Sequence, residues 1–260
     1  MRTVLVIGMG SGDPEHLTMQ AVRALNRADV FFVMDKREET SDLVRLRREI
    51  CERHIQGRPY RFVEVDDPER ERIPAGAPGY LASVEAWHAA RAAAWEAAIH
   101  DEVPEDGTGA LLAWGDPSLY DSTISVLERI RKRGRVDFTV EVIPGISSVQ
   151  ALTARHGITL NRVGGAVQIT TGRRLLEGWP AGVDDVVVML DGAAAFTRVT
   201  EPGLDIYWGA YLGTPDEVLV AGPLPQVADE IVRARAEARA RKGWVMDVYL
   251  LRRRIREERE

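Results

Sequence analysis

The chain has 260 residues, enough for one large domain or two modest ones. Its formal net charge of -6 argues against a general nucleic-acid binder, and its single cysteine excludes an internal disulfide and favours a reducing compartment. The first residues predict a strand rather than a signal peptide, no apolar run reaches membrane-spanning length, and the histidines lack metal-ligand spacing. We therefore expect a cytoplasmic protein that has no metal centre and no membrane partner.

The chain opens with a glycine-rich loop between a strand and a helix. Residues 3–7 predict a buried strand, residues 8–14 (GMGSGDP) form the loop, and residues 15–27 predict a helix. This order is typical of a dinucleotide site, and Asp35, which ends the next predicted strand at residues 30–34, would suit a ribose. The glycines run G-x-G-x-G and the pattern then breaks at Asp13 and Pro14, where a dinucleotide site would continue as a helix, so the signal is weak for a nucleotide. An NAD(P)-dependent oxidoreductase is nevertheless one alternative.

Three predicted elements follow in the first half of the chain. Residues 36–54 are densely charged above an apolar stripe, which is typical of a helix with one solvated face. Residues 60–65 alternate like a strand, and residues 80–102 predict an alanine-rich helix whose aromatic side chains we expect to pack. Strands that alternate with helices in this way predict an α/β fold.

The most informative stretch is residues 110–130. It begins with a short apolar strand and ends with a helix from Ser122, and the two are joined by the turn Gly115, Asp116 and Pro117. Pro117 restricts the backbone, whereas Gly115 allows a ligand to approach the main chain closely. Ligands of open α/β sheets bind at the carboxyl ends of strands. The motif by itself is compatible with a simple turn, but a similar turn follows the next predicted strand.

That second turn, PGISS at residues 144–148, follows a predicted strand at residues 137–143 and supplies serines that could cap a helix at residues 149–155. We predict an N-terminal domain of residues 1–157, a polar hinge at residues 158–165 and a C-terminal α/β domain of residues 166–260. In that domain the predicted strands and one helix have these bounds: strands at 166–170, 186–190, 206–212 and 244–251, and a helix at 226–241.

Four motifs in this order, GMGSGDPEHLT, AWGDPSLYDST, VIPGISS and LGTPDE, resemble the loops of the tetrapyrrole methylase family. Members of that family transfer methyl groups from S-adenosylmethionine to corrin and haem precursors. The resemblance implies two α/β domains with the active site in the inter-domain cleft, S-adenosyl-L-methionine as cofactor, and a homodimer. The connecting segments resemble the branch of the family that methylates precorrin-5 at ring carbon 1 and releases acetate.

The resemblance leaves other functions open. A same-fold methylase could act on another tetrapyrrole, on RNA or on protein, although the acidic balance weakly disfavours RNA. A non-catalytic carrier that binds the cofactor is a further alternative.

The resemblance also implies a set of cofactor contacts from loops and strand ends. Carried over position by position, they are Ser11, Trp114, Gly115, Asp116, Leu119, Ser147, Ser148, Leu190 or its neighbour Met189, and Gly213. This chain departs from the family pattern twice. Ser11 stands where proline is common, which leaves the first loop less rigid, and Glu217 stands where glutamine is common, which places a charge near the last loop.

Deacetylation and substrate recognition require further side chains. Water must attack the acetyl carbonyl, and Asp13 in the first loop is the candidate general base, with capping of the helix predicted from residue 15 as the competing role. The substrate carries many carboxylates, which suit the forked guanidinium of arginine. The candidate cations follow or lie within loops at strand ends, with a solvated surface charge as the alternative for each: Lys36, Arg37, Arg70 and Arg173.

Overall fold

The structure is a computed structural model that describes residues 1–33, 41–66, 68 and 78–254. Its helices are α1 (Met19–Leu25), α2 (Ser41–His54), α3 (Tyr80–Glu102), α4 (Thr123–Arg133), α5 (Ser148–His156), α6 (Gly172–Leu175) and α7 (Leu224–Lys242). Its strands are β1 (Arg2–Gly8), β2 (Val30–Val33), β3 (Arg61–Glu64), β4 (Thr108–Ala113), β5 (Phe138–Ile143), β6 (Val167–Thr171), β7 (Asp185–Met189), β8 (Leu204–Ala210), β9 (Val218–Pro223) and β10 (Asp247–Arg253). None of the helices in the described ranges is long and apolar enough to cross a membrane.

The first sheet is parallel and has the strand order β3-β2-β4-β1-β5. Its central strands β1 and β4 are almost continuously apolar, because helices cover both faces of a parallel sheet and bury both sides of each strand. Since the strands are parallel, the loops that follow β1, β4 and β5 leave from the same edge. The predicted α/β class is confirmed.

The second sheet has the order β6-β7-β10-β8-β9 and is mixed. β6 and β7 are parallel, and β10 runs antiparallel to both β7 and β8, so β6, β7 and β8 all end at one edge. Sequence patterning did not predict β9. Only one residue of this edge strand is fully buried, and its last two residues are Gly222 and Pro223, which gives a weak strand pattern.

Contacts divide the chain into two compact units. The first contains Met1–Gly10 and Pro14–Ile146, and the second contains Ser11–Asp13 and Ser147–Glu260. The second unit includes α5, which packs on β8, β9 and β10, whereas the predicted N-terminal domain of residues 1–157 would contain that helix. The predicted hinge at residues 158–165 stays a prediction.

The first helix differs from its prediction. Residues Pro14–His16 form a single 3-10 turn, and α1 begins only at Met19, where the hydroxyl of Thr18 accepts a hydrogen bond from the Ala21 amide at 3.0 Å. The side chain that caps α1 is therefore Thr18, not Asp13. The glycine loop also does not lead directly into a helix N-terminus, which a dinucleotide site requires to bind the pyrophosphate.

A buried ionic network supports the second sheet. The Asp247 carboxylate lies 3.0 Å from the Arg235 guanidinium and accepts a hydrogen bond from the Trp208 indole at 2.8 Å. Burial raises the pKa of Asp247 to about 6, although the neighbouring Arg235 opposes this shift. The folded protein therefore binds this proton more tightly than the unfolded chain, in which an aspartate has a pKa of about 3.9.

We expect Asp247 to make folding less favourable as the pH rises from about 4 to about 6. The free energy of unfolding of the wild type, minus that of Asp247→Asn, should fall across this interval by about 3 kcal/mol, because one pKa unit corresponds to about 1.4 kcal/mol. Urea unfolding of both proteins at several pH values measures this difference, since other carboxylates contribute equally to both. A difference that is constant with pH would contradict the prediction.

Candidate functional site

Three glycines bring the ends of β1, β4 and β5 into direct backbone contact, and we call Gly8, Gly115 and Gly145 the glycine junction. A Cβ placed on Gly8 would lie 2.5 Å from the Gly145 nitrogen, and one placed on Gly145 would overlap the Gly115 carbonyl oxygen. Gly10 and Gly115 form an antiparallel bridge in which the Gly115 amide donates to the Gly10 carbonyl at 2.8 Å. Side chains cannot occupy this junction, so main chain packs on main chain at the edge where parallel sheets bind ligands.

Asp116 joins two of these turns. Its carboxylate accepts hydrogen bonds from the Gly145 amide at 2.8 Å and the Ser118 amide at 2.9 Å, and also from the Ser118 hydroxyl. Partial burial acts to raise the pKa of Asp116, but the hydrogen bonds from Ser118 and Gly145 outweigh it and lower that pKa below its ordinary value. The Asp116 side chain therefore fixes the two turns relative to each other.

Trp114 and Leu119 flank the same turn. Trp114 packs against a core cluster of the first unit, and within the described ranges its buried indole nitrogen has no hydrogen-bond partner. Leu119 is half-buried, and its amide donates to the Asp116 carbonyl at 3.2 Å. One short loop thus brings together Trp114, Gly115, Asp116 and Leu119.

In the second unit, the ends of β6 and β7 form a corner. Thr171 pairs with Met189, so Gly172 and Leu190 follow neighbouring strand ends. A Cβ on Gly172 would overlap the carboxyl group of Asp191, so these two segments are in close contact. Leu190 is 66% exposed and adopts a φ of 53°, a left-handed conformation that is unfavourable for a branched side chain.

Buried Asp191 holds this corner in place. Its carboxylate accepts hydrogen bonds from the Ala193 amide at 3.1 Å, the Ala195 amide at 2.7 Å and the Tyr249 hydroxyl at 2.7 Å. Arg235 donates to the Asp191 carbonyl oxygen at 2.5 Å. A buried carboxylate with several donors is stable and rigid, so Asp191 keeps the backbone of its exposed neighbour fixed.

The charge of Glu217 is neutralised within the second unit. Its carboxylate lies 2.5 Å from Nη2 of Arg155 in α5 and accepts a hydrogen bond from the Gly213 amide at 2.9 Å. A Cβ on Gly12 would lie 2.6 Å from the Leu212 carbonyl oxygen, so Gly12, which belongs to the same unit, packs against this turn. Glu217 therefore fixes the Gly213 turn instead of adding an unpaired charge there.

The remaining candidates have mixed positions. Ser147 is buried at the N-cap of α5, where its hydroxyl accepts from the Val149 amide at 3.2 Å and donates to the Gln150 side chain. Ser148 is half-buried in the first turn of that helix. Ser11 is buried and Asp13 is half-buried. Both belong to the second unit by contacts, although they are near the start of the chain.

Of the candidate cations, Lys36, Arg37 and Arg70 lie outside the described residues. Arg173 is exposed in α6, two positions after Thr171 and therefore at the corner that carries Leu190.

Sequence reasoning assigned no functional role to Arg91. Its guanidinium lies over the rings of Trp87 (4.9 Å) and Trp95 (5.1 Å) and donates to the Ser122 hydroxyl at 3.0 Å. Trp87, Arg91 and Trp95 are spaced four residues apart along α3. Because residues four apart share a helix face, this spacing could have predicted that the Arg91 guanidinium contacts both rings.

The chain is similar in sequence and in structure to known proteins. The sequence model of the tetrapyrrole (corrin/porphyrin) methylases matches residues 3–228. A precorrin-6A synthase (deacetylating) of Sinorhizobium sp is 52% identical over 97% of this chain and 95% of that protein. The structure of a cobalamin synthesis related protein (CobF) from Corynebacterium diphtheriae has a TM-score of 0.82 and 40% identity, covering 97% of this chain and 98% of that chain.

A more distant structure shows likeness in fold alone. It is the uroporphyrin-III C-methyltransferase of Thermus thermophilus in complex with S-adenosylhomocysteine, with a TM-score of 0.54 and 19% identity over 96% of this chain and 91% of that chain.

The glycine junction predicts a specific effect on stability. Gly145→Ala should lower the free energy of unfolding by about 1–3 kcal/mol, because the new methyl group meets backbone atoms that cannot rotate away. Gly192→Ala is the matched control, since a Cβ there meets nothing within 4 Å and its φ is not left-handed. Urea denaturation measures both variants, and equal effects would show that the backbones are not in contact.

Proposed function

The chain belongs to the tetrapyrrole methylase family, and from this premise we propose that it methylates precorrin-5 at ring carbon 1 with loss of acetate, giving precorrin-6A. It is an S-adenosylmethionine-dependent methyltransferase of cobalamin biosynthesis. The observation that carries the choice of substrate is the 52% identity with a precorrin-6A synthase over nearly the full length of both chains. The structural likeness to CobF, at 40% identity, supports the same pathway.

The described residues fit S-adenosylmethionine. The glycine junction holds three turns together at the ligand-binding edge of the first sheet, the Trp114 indole has a buried donor without a protein partner in the described ranges, and Leu190 offers an exposed apolar surface for a purine. We propose these cofactor contacts: Ser11, Trp114, Gly115, Asp116, Leu119, Ser147, Ser148, Met189, Leu190 and Gly213. Because the Asp116 and Ser147 side chains hold backbone amides, we expect these residues to contact the cofactor through their main-chain atoms.

The proposed role of the protein in methyl transfer is positioning. When bound, the cofactor supplies an electrophilic sulfonium methyl group. We propose that the turn at Gly115 and the turn at Gly213 each contact this donor, and each turn is fixed by a hydrogen-bonded carboxylate, Asp116 for the first and Glu217 for the second. Alignment of a donor with an acceptor carbon can lower the barrier by roughly 7–11 kcal/mol.

Deacetylation requires a proton acceptor, and we propose Asp13 for it. Water adds to the acetyl carbonyl as its proton passes to the Asp13 carboxylate. The bond from the acetyl carbon to the ring carbon then breaks, its electron pair stays on the conjugated macrocycle, and the acetyl group leaves as acetate. Assignment of the α1 cap to Thr18 removes the competing role for Asp13 in that helix.

For substrate binding we propose that Lys36, Arg37, Arg70 and Arg173 contact the carboxylates of the macrocycle. We further propose a homodimer and a cytoplasmic location. Light scattering after gel filtration tests the homodimer, and a monomer at micromolar concentration would refute it.

The oxidoreductase alternative is not favoured. Residues 8–14 lead into a single 3-10 turn and not into a helix, so the glycine loop lacks the helix N-terminus that would bind a pyrophosphate. Titration with NADH and with S-adenosylhomocysteine should therefore show binding of the second compound alone.

The reaction itself can be tested with labelled donor. Incubation with precorrin-5 and S-adenosylmethionine carrying a ¹³C methyl group should give a tetrapyrrole with one added label and an equal amount of acetate. Mass spectrometry and acetate assay measure the two products. Labelled product without acetate would indicate a methylase of another tetrapyrrole position, and cofactor binding without labelled product would indicate a carrier.

We expect Asp13→Asn to bind S-adenosylhomocysteine with unchanged affinity and to lose turnover by about 10²–10⁴-fold, because the amide cannot accept the proton. Glu15→Gln is the control two residues away, since Glu15 is exposed and pairs with Arg53 at 3.1 Å. Initial rates and calorimetric titration measure the two quantities. Normal turnover in Asp13→Asn would remove Asp13 from the mechanism.

Arg173→Ala should raise the KM for precorrin-5 by about tenfold, as expected for one lost charged hydrogen bond, with kcat and cofactor affinity unchanged. The neighbouring variant Arg174→Ala should have little effect, because the Arg174 guanidinium pairs with Glu177 at 2.7 Å. Steady-state kinetics of both variants test the assignment. Equal effects of the two substitutions would indicate a general loss of surface charge.

A further inference from the structure

We propose that Tyr120 presents its ring to the flat face of the tetrapyrrole and so selects a conjugated macrocycle as substrate. This inference rests on the proposed function and adds a specificity-determining residue to the same site. Tyr120 belongs to the loop of residues 114–122, which we call the β4 loop because it follows that strand. The loop leaves the ligand-binding edge of the first sheet, beside the glycine junction.

The β4 loop is fixed at both ends. At its start, the Asp116 carboxylate accepts hydrogen bonds from the amides of Ser118 and Gly145. At its end, Ser122 is the N-cap residue of α4, and its hydroxyl accepts a hydrogen bond from Arg91. Since Arg91 is itself held over two tryptophan rings, the loop cannot relax easily at either end.

Between these two ends, Tyr120 adopts a conformation that is unfavourable for its residue type. Its φ is 52°, in the left-handed region where glycine or asparagine is favoured and a bulky side chain is an outlier. The side chain does not gain a core position in return, because 46% of the residue is exposed. Strain of this kind persists where the surrounding structure imposes it, and it is concentrated at ligand-binding sites.

The chemistry of an exposed tyrosine matches that of a macrocycle. The conjugated part of the ring system is flat and apolar on its faces, while its carboxylates lie on the rim, and aromatic side chains stack on such faces. A tyrosine phenol, with an ordinary pKa of about 10, is neutral at physiological pH and does not repel a polycarboxylate, and partial burial raises the pKa of Tyr120 further. Arginines can then bind the rim while a neutral ring covers the face.

Three variants separate this role from a structural one. Tyr120→Gly removes the ring and relieves the left-handed strain, so it should raise the urea midpoint yet weaken binding of precorrin-5 by about tenfold. Tyr120→Phe keeps the ring and should bind within about twofold of the wild type. Ala194→Gly relieves the same strain at a φ of 52° without removing a ring, and it should raise the urea midpoint with no change in binding.

Binding is measured by anaerobic fluorescence titration of precorrin-5, with S-adenosylhomocysteine in place of the methyl donor, and turnover is measured separately. Equal affinity of wild type and Tyr120→Gly would overturn the inference, as would a wild type that binds no precorrin-5. Weaker precorrin-5 binding by Tyr120→Gly, with S-adenosylhomocysteine affinity unchanged, would support it. If the wild type binds precorrin-5 but gives no methylated product, the proposed reaction fails while the binding comparison still decides the role of Tyr120.

Discussion

The contact of backbone with backbone at the glycine junction is the constraint on which the first unit depends. Loops that leave adjacent parallel strands are normally kept apart by their side chains, but Gly8, Gly115 and Gly145 have none, and their main chains touch. The Gly10 bridge and the Asp116 carboxylate then satisfy backbone groups that would otherwise be unpaired. The three turns are therefore held in one arrangement at the ligand-binding edge of the first sheet.

The second unit reaches a similar rigidity by different means. Asp191 is buried and receives four donors through its carboxylate and its carbonyl, including Tyr249 and Arg235. Such a network is stable only when every member is paired, so it allows one arrangement of the corner. In each unit, an aspartate that binds backbone amides lies near an exposed residue with a left-handed backbone conformation. In the first unit Asp116 precedes Tyr120 by four residues, and in the second unit Asp191 directly follows Leu190.

Charged side chains of this acidic protein interact with nearby groups, so the net charge does not describe the charge at any one place. Glu217 illustrates this, because a charge that the sequence places near a loop is paired with Arg155 and holds the Gly213 amide. Arg91 is another example, since its cation lies over two indole rings instead of in solvent. Net charge therefore describes solubility and long-range attraction, whereas the potential at the site depends on which cations lack a nearby carboxylate.

The sequence by itself determined the α/β class, the bounds of α3 and the loop motifs, because periodicity and turn residues act over a few neighbouring positions. It could not determine the start of α1, the presence of β9, the assignment of α5 to the second unit or the partner of Glu217. Except for α1, these features arise from contacts between segments that are distant in the chain, and local propensity carries no information about such partners. Only the tertiary structure decided that three separate glycines meet at one point and that Tyr120 and Leu190 adopt a left-handed backbone.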